Sequence, residues 1–296
     1  MKKVKMIKEL QIFATKIRIE TIKEIGNLGF GHLGGAMSVV ETLAVLYGEA
    51  MKIDPKNPKW EDRDWLVCSK GHAGPAIYAT LALKGYFPME ELETLNKPGT
   101  NLPSHCDRNK TIGIDMTTGS LGQGSSQAVG VALGHRLDNR NNYTYLILGD
   151  GELQEGQIWE AVMLASHLKL DHLITFVDNN KQQLDGLTKE INDLGDIPSK
   201  FESFGWNTFK ANGASVEEIL DAIDKAKQVK GKPSVIVLDT VKGQGCSFAE
   251  GILDNHHMFV SKDQMEEALA ILNDKLAVLN EELTVLSEEL EMVVSK

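Results

Sequence analysis

The chain is 296 residues long, 42% hydrophobic and 25% charged, with a formal net charge of −11. Those proportions are ordinary for a globular protein, and the length is ample for a substantial core in one large α/β domain or two small ones. The acidic balance argues against nucleic acid or an anionic membrane as partner, because both favour basic surfaces.

In chain order, Met1-Lys2-Lys3-Val4-Lys5-Met6 lacks the apolar core of a signal peptide, and no later window approaches the roughly 18 apolar residues of a membrane span. A cytoplasmic location is expected. Residues 5–25 place Met6, Leu10, Phe13, Ile17, Ile22 and Ile25 at roughly helical spacing. A glycine-rich segment, residues 26–35, opens a helical run through Tyr47, and Asp54-Pro55-Lys56-Asn57-Pro58 reads as a turn. A short strand, Trp65-Leu66-Val67-Cys68, leads into Ser69-Lys70-Gly71-His72-Ala73. Residues 96–118 form a long loop of low periodicity carrying His105, and such loops in compact domains are often functional. Small residues after it (Ser125, Ser126, Ala128, Gly130, Ala132, Gly134) suit a tightly packed helix. The three cysteines, Cys68, Cys106 and Cys246, are odd in number and widely spaced, which suggests neither a disulfide framework nor a zinc site.

The most informative stretch comes next. Gly149-Asp150-Gly151 follows the apolar run Tyr143–Leu148, and about 27 residues later Asp178-Asn179-Asn180 follows Leu173–Val177. On neighbouring parallel strands, both polar clusters emerge at the carboxyl ends, where open α/β sheets bind ligands. Asp150 and Asn180 are hard oxygen donors suited to Mg²⁺ or Ca²⁺. Gly151 lets backbone approach an anion, and a helix starting near Glu155 would direct free N–H groups to the same place. Together they suggest a metal–diphosphate site. A helix over 215–228 and the strand Ser234–Leu238 continue the alternation, which predicts an α/β fold with a mostly parallel central sheet flanked by helices. At the end, Leu269, Leu272, Leu276, Leu279, Leu283, Leu286, Leu290 and Val293 alternate spacings of three and four. That heptad stripe predicts a helix docked on its own domain or on a partner, and divides the chain into residues 1–261 and a helical extension, 262–296.

Several segments resemble, in order, the N-terminal, thiamine diphosphate-binding half of transketolase. They are Gly31-His32-Leu33-Gly34-Gly35, Ser69–Ala73, Thr117-Thr118-Gly119-Ser120-Leu121-Gly122-Gln123-Gly124, Gly149–Gly156 and Asp178-Asn179-Asn180-Lys181. The resemblance implies that Asp150, Asn180 and the backbone carbonyl of Gln182 hold the metal. It implies contacts to thiamine diphosphate from His72, Gly151, Glu155, Asn180, Leu184 and the loop Gly119, Ser120 and Leu121. His32 and His105 correspond to histidines facing the donor sugar, and Glu155 and Glu160 to acids reaching towards a partner. A further site histidine is His256 or His257; ungapped counting from Gly243-Gln244-Gly245 favours His256, in a catalytic and a diphosphate-binding role. Leu33 replaces a frequent proline, His256-His257 a common His-Gly, and Ser104-His105-Cys106-Asp107 the usual Gly-His-Pro-acid string. His135 reads as structural, and His167 and His172 as outside the chemistry.

What the resemblance implies is transfer of a two-carbon ketol unit by a split enzyme. A second polypeptide would carry the pyrimidine-binding half, in a heterotetramer of two of each chain. Alternatives are a ketol transferase specialised for a branched or sulfonated sugar, the cofactor-binding subunit of a 2-oxo-acid dehydrogenase, and a catalytically silent scaffold.

Overall fold

The computed structural model describes residues 2–294, with side chains through Met292. Helix α1 (Lys2–Leu28) leads through a two-residue strand β1 (Phe30–Gly31) into α2 (Gly34–Met37) and α3 (Val40–Val45). The single helix expected to reach Tyr47 is therefore in pieces, ending in a wide π turn over Leu46–Ala50. Its break falls beside Ser38, whose hydroxyl donates to Asp178 at 2.6 Å. Strand β2 (Trp65–Cys68) and α4 (Gly74–Leu83) follow, then the long loop, α5 (Gln123–Leu137), β3 (Thr144–Gly149), α6 (Gly156–His167) and β4 (Leu173–Asn179). A hairpin of β5 (Gln182–Gln183) and β6 (Gly186–Leu187) precedes α7 (Thr188–Asn192), α8 (Ile197–Ser203), β7 (Asn207–Asn212), α9 (Val216–Gln228) and β8 (Ser234–Asp239). The chain closes with β9 (Met258–Phe259), which pairs antiparallel with β1, and α10 (Lys262–Val294).

Five strands form one sheet in the order β2-β3-β4-β8-β7, every neighbouring pair parallel. A parallel sheet covered on both faces needs apolar side chains on both, which is why Thr144–Leu148 and Leu173–Val177 read as near-continuous apolar runs, interrupted only by the buried Thr144 and Thr175. Tyr145, Ile147, Ile174, Phe176, Ile236 and Leu238 pack with α1, α3, α4 and α9. Leu146, Leu148, Leu173, Val177, Val235 and Val237 face α5, α6 and α8. Each such buried side chain contributes about 1.5–3 kcal/mol relative to exposure. Strand β7 adds an element that the sequence pattern does not announce: Asn207-Thr208-Phe209-Lys210-Ala211-Asn212 is an edge strand, half exposed, and lacks the apolar run of its inner neighbours.

Helix α10 runs antiparallel along α1, with Met265 against Gly26 at one end and a Lys8–Glu282 ion pair of 2.6 Å towards the other. Of the heptad stripe, Leu272 and Leu279 are buried, and Leu269, Leu276, Leu283, Leu286 and Leu290 half-buried. The stripe thus serves the docking of α10 on its own chain; the Val293 side chain lies outside the described residues. Among the described residues no helix is long and apolar enough to cross a membrane.

Candidate active site

The carboxyl ends of β3 and β4 lie side by side, with Gly149 in register with Asp178, so Asp150 and Asn180 project from adjacent strands. Asp150 is 3% exposed. Its carboxylate accepts the backbone N–H of Gly151 at 2.8 Å and of Lys181 at 2.6 Å. Burial and then the neighbouring charge of Asp178 push its carboxyl up to about 7. The Asn180 amide donates to Asp178 at 2.9 Å, and its oxygen accepts the Gln182 N–H at 3.1 Å. The expected helix near Glu155 begins at Gly156, but a 3₁₀ turn over Gly151–Gln154 precedes it, and Asp150 caps that turn. Glu155 and Glu160 are both exposed.

Across from this pair stand the histidines. His32 is at the centre: its ring centroid lies 5.7 Å from His72, 5.2 Å from His105, 5.5 Å from His256 and 4.7 Å from His257. His72 and His256 are 4.8 Å apart. Five imidazoles, from residue 32 to residue 257 of the sequence, thus share one hollow. Burial, followed by the charges of His257 and His105, lowers His32 to about 4. Burial and then Lys242 lower His256 to about 3, while burial lowers His72 and His105. Near neutral pH these four rings are uncharged, able to donate from one nitrogen and accept at the other. His257 is exposed and lies 5.5 Å from the Phe30 ring, at the rim of the hollow.

Of the remaining expected residues, Gly119 lies against the His105 ring, 3.0 Å from where its Cβ would stand. Gly71 packs so closely under the 117–124 loop that an added Cβ would lie 2.7 Å from backbone atoms of Thr118 and Gly119. Ser120 is exposed and Leu121 half-buried in that loop, and Leu184 stands 65% exposed at the tip of the β5–β6 hairpin. His135, expected to be structural, is buried with its ring edge-on to Trp65 at 5.6 Å.

Four site residues do not stand out in the sequence. Asp178, fully buried, accepts from Lys70, Ser38, Asn180 and Thr240. Burial pushes its carboxyl up, but the Lys70 charge and these hydrogen bonds outweigh that and hold it below its usual range. Lys242, 2% exposed, donates to the Gln183 carbonyl at 3.3 Å and lies 3.2 Å from His256 Nδ1. Among the described residues it has no carboxylate partner, and burial lowers it to about 8. An ammonium only donates, so His256 Nδ1 must accept, which places the ring proton on Nε2. Glu152 ties three loops together, accepting from Ser69, from the Gly122 N–H at 2.9 Å and from the Gly149 N–H at 3.0 Å. Lys70, Asp178 and Glu152 sit inside segments already noted and Lys242 immediately before Gly243, but their roles rest on partners elsewhere in the chain.

The donor set fits a hard cation with a diphosphate. Among the described residues no three His, Cys, Asp or Glu side chains are placed to hold a metal, so a cation here relies on Asp150 with an amide and backbone oxygens. A Cβ on Gly151 would stand 2.9 Å from Gln183, so only glycine leaves that backbone approachable. Lys242, which among the described residues has no carboxylate within ion-pair distance, would supply a cation for an anion.

The family model for the transketolase thiamine diphosphate-binding domain matches residues 10–285, and the chain belongs to that family. It is 56% identical over 264 residues to a 6-deoxy-6-sulfo-D-fructose transketolase subunit of Clostridium sp. (strain MSTE9), covering 89% of this chain and 96% of that one. It is 34% identical to an apulose-4-phosphate transketolase subunit of Phocaeicola vulgatus, covering 91% and 95%. A crystal structure of transketolase from Pichia stipitis superposes with a TM-score of 0.82 at 30% identity, over 95% of this chain and 46% of that one. Leishmania mexicana transketolase gives 0.82 over 97% and 47%. The chain therefore spans about half the length of those solved transketolases and nearly all of the two subunits. The expected α/β fold, the thiamine diphosphate-binding domain and a transferase subunit of the transketolase type are all borne out.

Proposed function

We propose that this chain is the diphosphate-binding subunit of a cytoplasmic two-polypeptide transketolase that takes a two-carbon ketol unit from a sulfonated ketose and gives it to an aldose. The observation that carries the reading is the ring of imidazoles around His32, set beside the oxygen donors Asp150 and Asn180. The choice of a sulfonated donor rests on the 56% identity to the subunit whose name specifies 6-deoxy-6-sulfo-D-fructose.

Asp150, Asn180 and the Gln182 carbonyl would hold Mg²⁺, or Ca²⁺ in its place, beside the diphosphate. His72, Lys242 and the Gly151 backbone would contact the phosphates, and Leu184 with Gly119, Ser120 and Leu121 would contact the rest of the cofactor. The cofactor, when bound, supplies the nucleophilic carbon and the electron sink for carbon–carbon cleavage. The protein's part is orientation and proton handling. His32 and His105, uncharged, hydrogen-bond the donor's hydroxyls and steady oxygen as charge grows on it, and the Nε2–H of His256 is a second donor there. Glu155 and Glu160 reach towards the partner subunit, which supplies the pyrimidine-binding half, two copies of each chain forming the assembly. Residues 1–261 are the cofactor-binding unit and 262–296 its helical brace.

The test is reconstitution with the partner half, with sulfofructose, fructose 6-phosphate and pyruvate compared as donors. The expected result is activity dependent on Mg²⁺ and thiamine diphosphate, in the mixture alone, with the sulfonated ketose giving the highest kcat/KM and releasing a sulfonated four-carbon aldose. Equal kcat/KM for the sulfonated and phosphorylated donors would remove the sugar assignment, and turnover by the lone chain would remove the split assembly.

A further inference from the structure

The Asp178 carboxylate receives four side-chain donors from four separate parts of the chain. Ser38 arrives from the break after α2, Lys70 from the loop after β2, Asn180 from the end of β4 and Thr240 from the end of β8. A carboxylate that accepts from four donors is a fixed reference for the segments that meet there. It is fully buried, and the Lys70 ammonium makes its charge tenable there.

The consequence falls on Asn180. A side-chain amide can present oxygen or NH₂ in either of two orientations that differ by half a turn and occupy the same space. Next to an ionised carboxylate only one orientation is satisfied, because oxygen against oxygen is repulsive. The 2.9 Å contact between Asn180 Nδ2 and Asp178 Oδ2 fixes the NH₂ inward. Oδ1 is then turned the other way, where it accepts from the Gln182 N–H at 3.1 Å and keeps a lone pair for a cation. We propose that Asp178, braced by Lys70, Ser38 and Thr240, is a positioning residue that sets the Asn180 amide with its oxygen towards the metal before any metal arrives. The proposal rests on the cation site assigned above. Without it, only the Gln182 N–H would select the orientation of the Asn180 amide.

The experiment is a Mg²⁺ titration of thiamine diphosphate binding by calorimetry, in the full chain, for Asp178→Asn, Asn180→Asp and the double variant. Outer partners of metal ligands are worth about ten- to hundredfold in metal affinity. Each single variant is expected to raise the half-saturating Mg²⁺ by about that factor. The first puts an amide, which can offer NH₂ as well as oxygen, where an acceptor-only carboxylate set the orientation, and the second sets two carboxylates against each other. The double variant is expected to recover most of the loss, because the amide introduced at position 178 can donate to the carboxylate introduced at position 180, and a carboxylate offers oxygen in either orientation. A merely structural role for Asp178 predicts losses that add, and additive losses would overturn the proposal. Because Asp178→Asn leaves Lys70 without its counter-ion and can compromise folding, a second measurement uses the wild-type chain. Exchange of the Asn180 side-chain amide protons, followed by NMR, is expected to be slow without Mg²⁺ and unchanged by its addition. Protection that appears only with Mg²⁺ would also overturn it. Wild-type cofactor binding that ignores Mg²⁺ would instead remove the cation site, while the amide exchange still decides the orientation.

Discussion

Asp150 carries the heaviest assignment of any residue in the site, and its surroundings make a sharp expectation. It is buried beside a second carboxylate, so a bound cation would relieve the repulsion between the two. Asp150→Ala is expected to abolish Mg²⁺-dependent binding of thiamine diphosphate in calorimetric titration while circular dichroism and the melting temperature stay near wild type. The histidines give a pH signature. In the unfolded chain His32 takes a proton near its ordinary 6.5, but in the folded chain only near 4. Between those values the unfolded state binds more protons, so stability is full above about 6.5 and falls as pH drops towards 4. Asp150 has the opposite sign, since its raised carboxyl favours the folded state as pH falls below about 7. The two overlap, so the expected observation is comparative: His32→Gln shows a shallower loss of the urea midpoint between pH 6.5 and pH 4 than wild type. An unchanged slope would contradict the neutral, half-buried state of this ring.

At the scale of elements, the central question is what holds the loops at the sheet's carboxyl edge in place. The crossing of Gly71 beneath Thr118 and Gly119 leaves no room for a methyl group. Gly71→Ala is expected to displace the 117–124 loop and weaken thiamine diphosphate binding more than it lowers the melting temperature, which paired titration and thermal scans would separate. Along α10, Leu272 is 3% exposed in the stripe that rests on α1. Leu272→Ala is expected to cost about 2–5 kcal/mol, the range for buried leucines, measured by urea unfolding. The leucine spacing made this helix legible in the sequence, because a/d periodicity is a local signal. It left open whether the face met its own domain or a partner, since α1 lies at the far end of the chain. The inner strands were legible for the same reason: a strand covered on both faces is apolar at every position. Strand β7 was not, because half of it faces solvent and its sequence alternates without an apolar majority. The polar clusters at Asp150 and Asn180 showed themselves by following such strands. Asp178, Lys70, Lys242 and Glu152 did not, because a buried charge announces itself through its partner, and Lys70 meets Asp178 across 108 residues, Glu152 meets Ser69 across 83 and Lys242 meets His256 across 14.

Taken whole, the molecule is a layered α/β unit whose ligand-facing edge gathers chain from residue 31 to residue 257. The hollow is open on the side where Phe30, Phe259 and His257 stand, Phe259 with 84% of its surface exposed. The purified chain alone is expected to bind thiamine diphosphate weakly and to turn over no ketose, a result that a coupled assay with and without the partner half would settle. Glu152 then acquires a significance larger than its size. Its two oxygens are shared by the segment after β2, the turn before α5 and the end of β3. Those three stretches consequently cannot be exchanged one at a time between related enzymes, since whichever one is transplanted must still meet the same carboxylate. Anyone redesigning the donor pocket has to treat the loops as a single graft with Glu152 inside it.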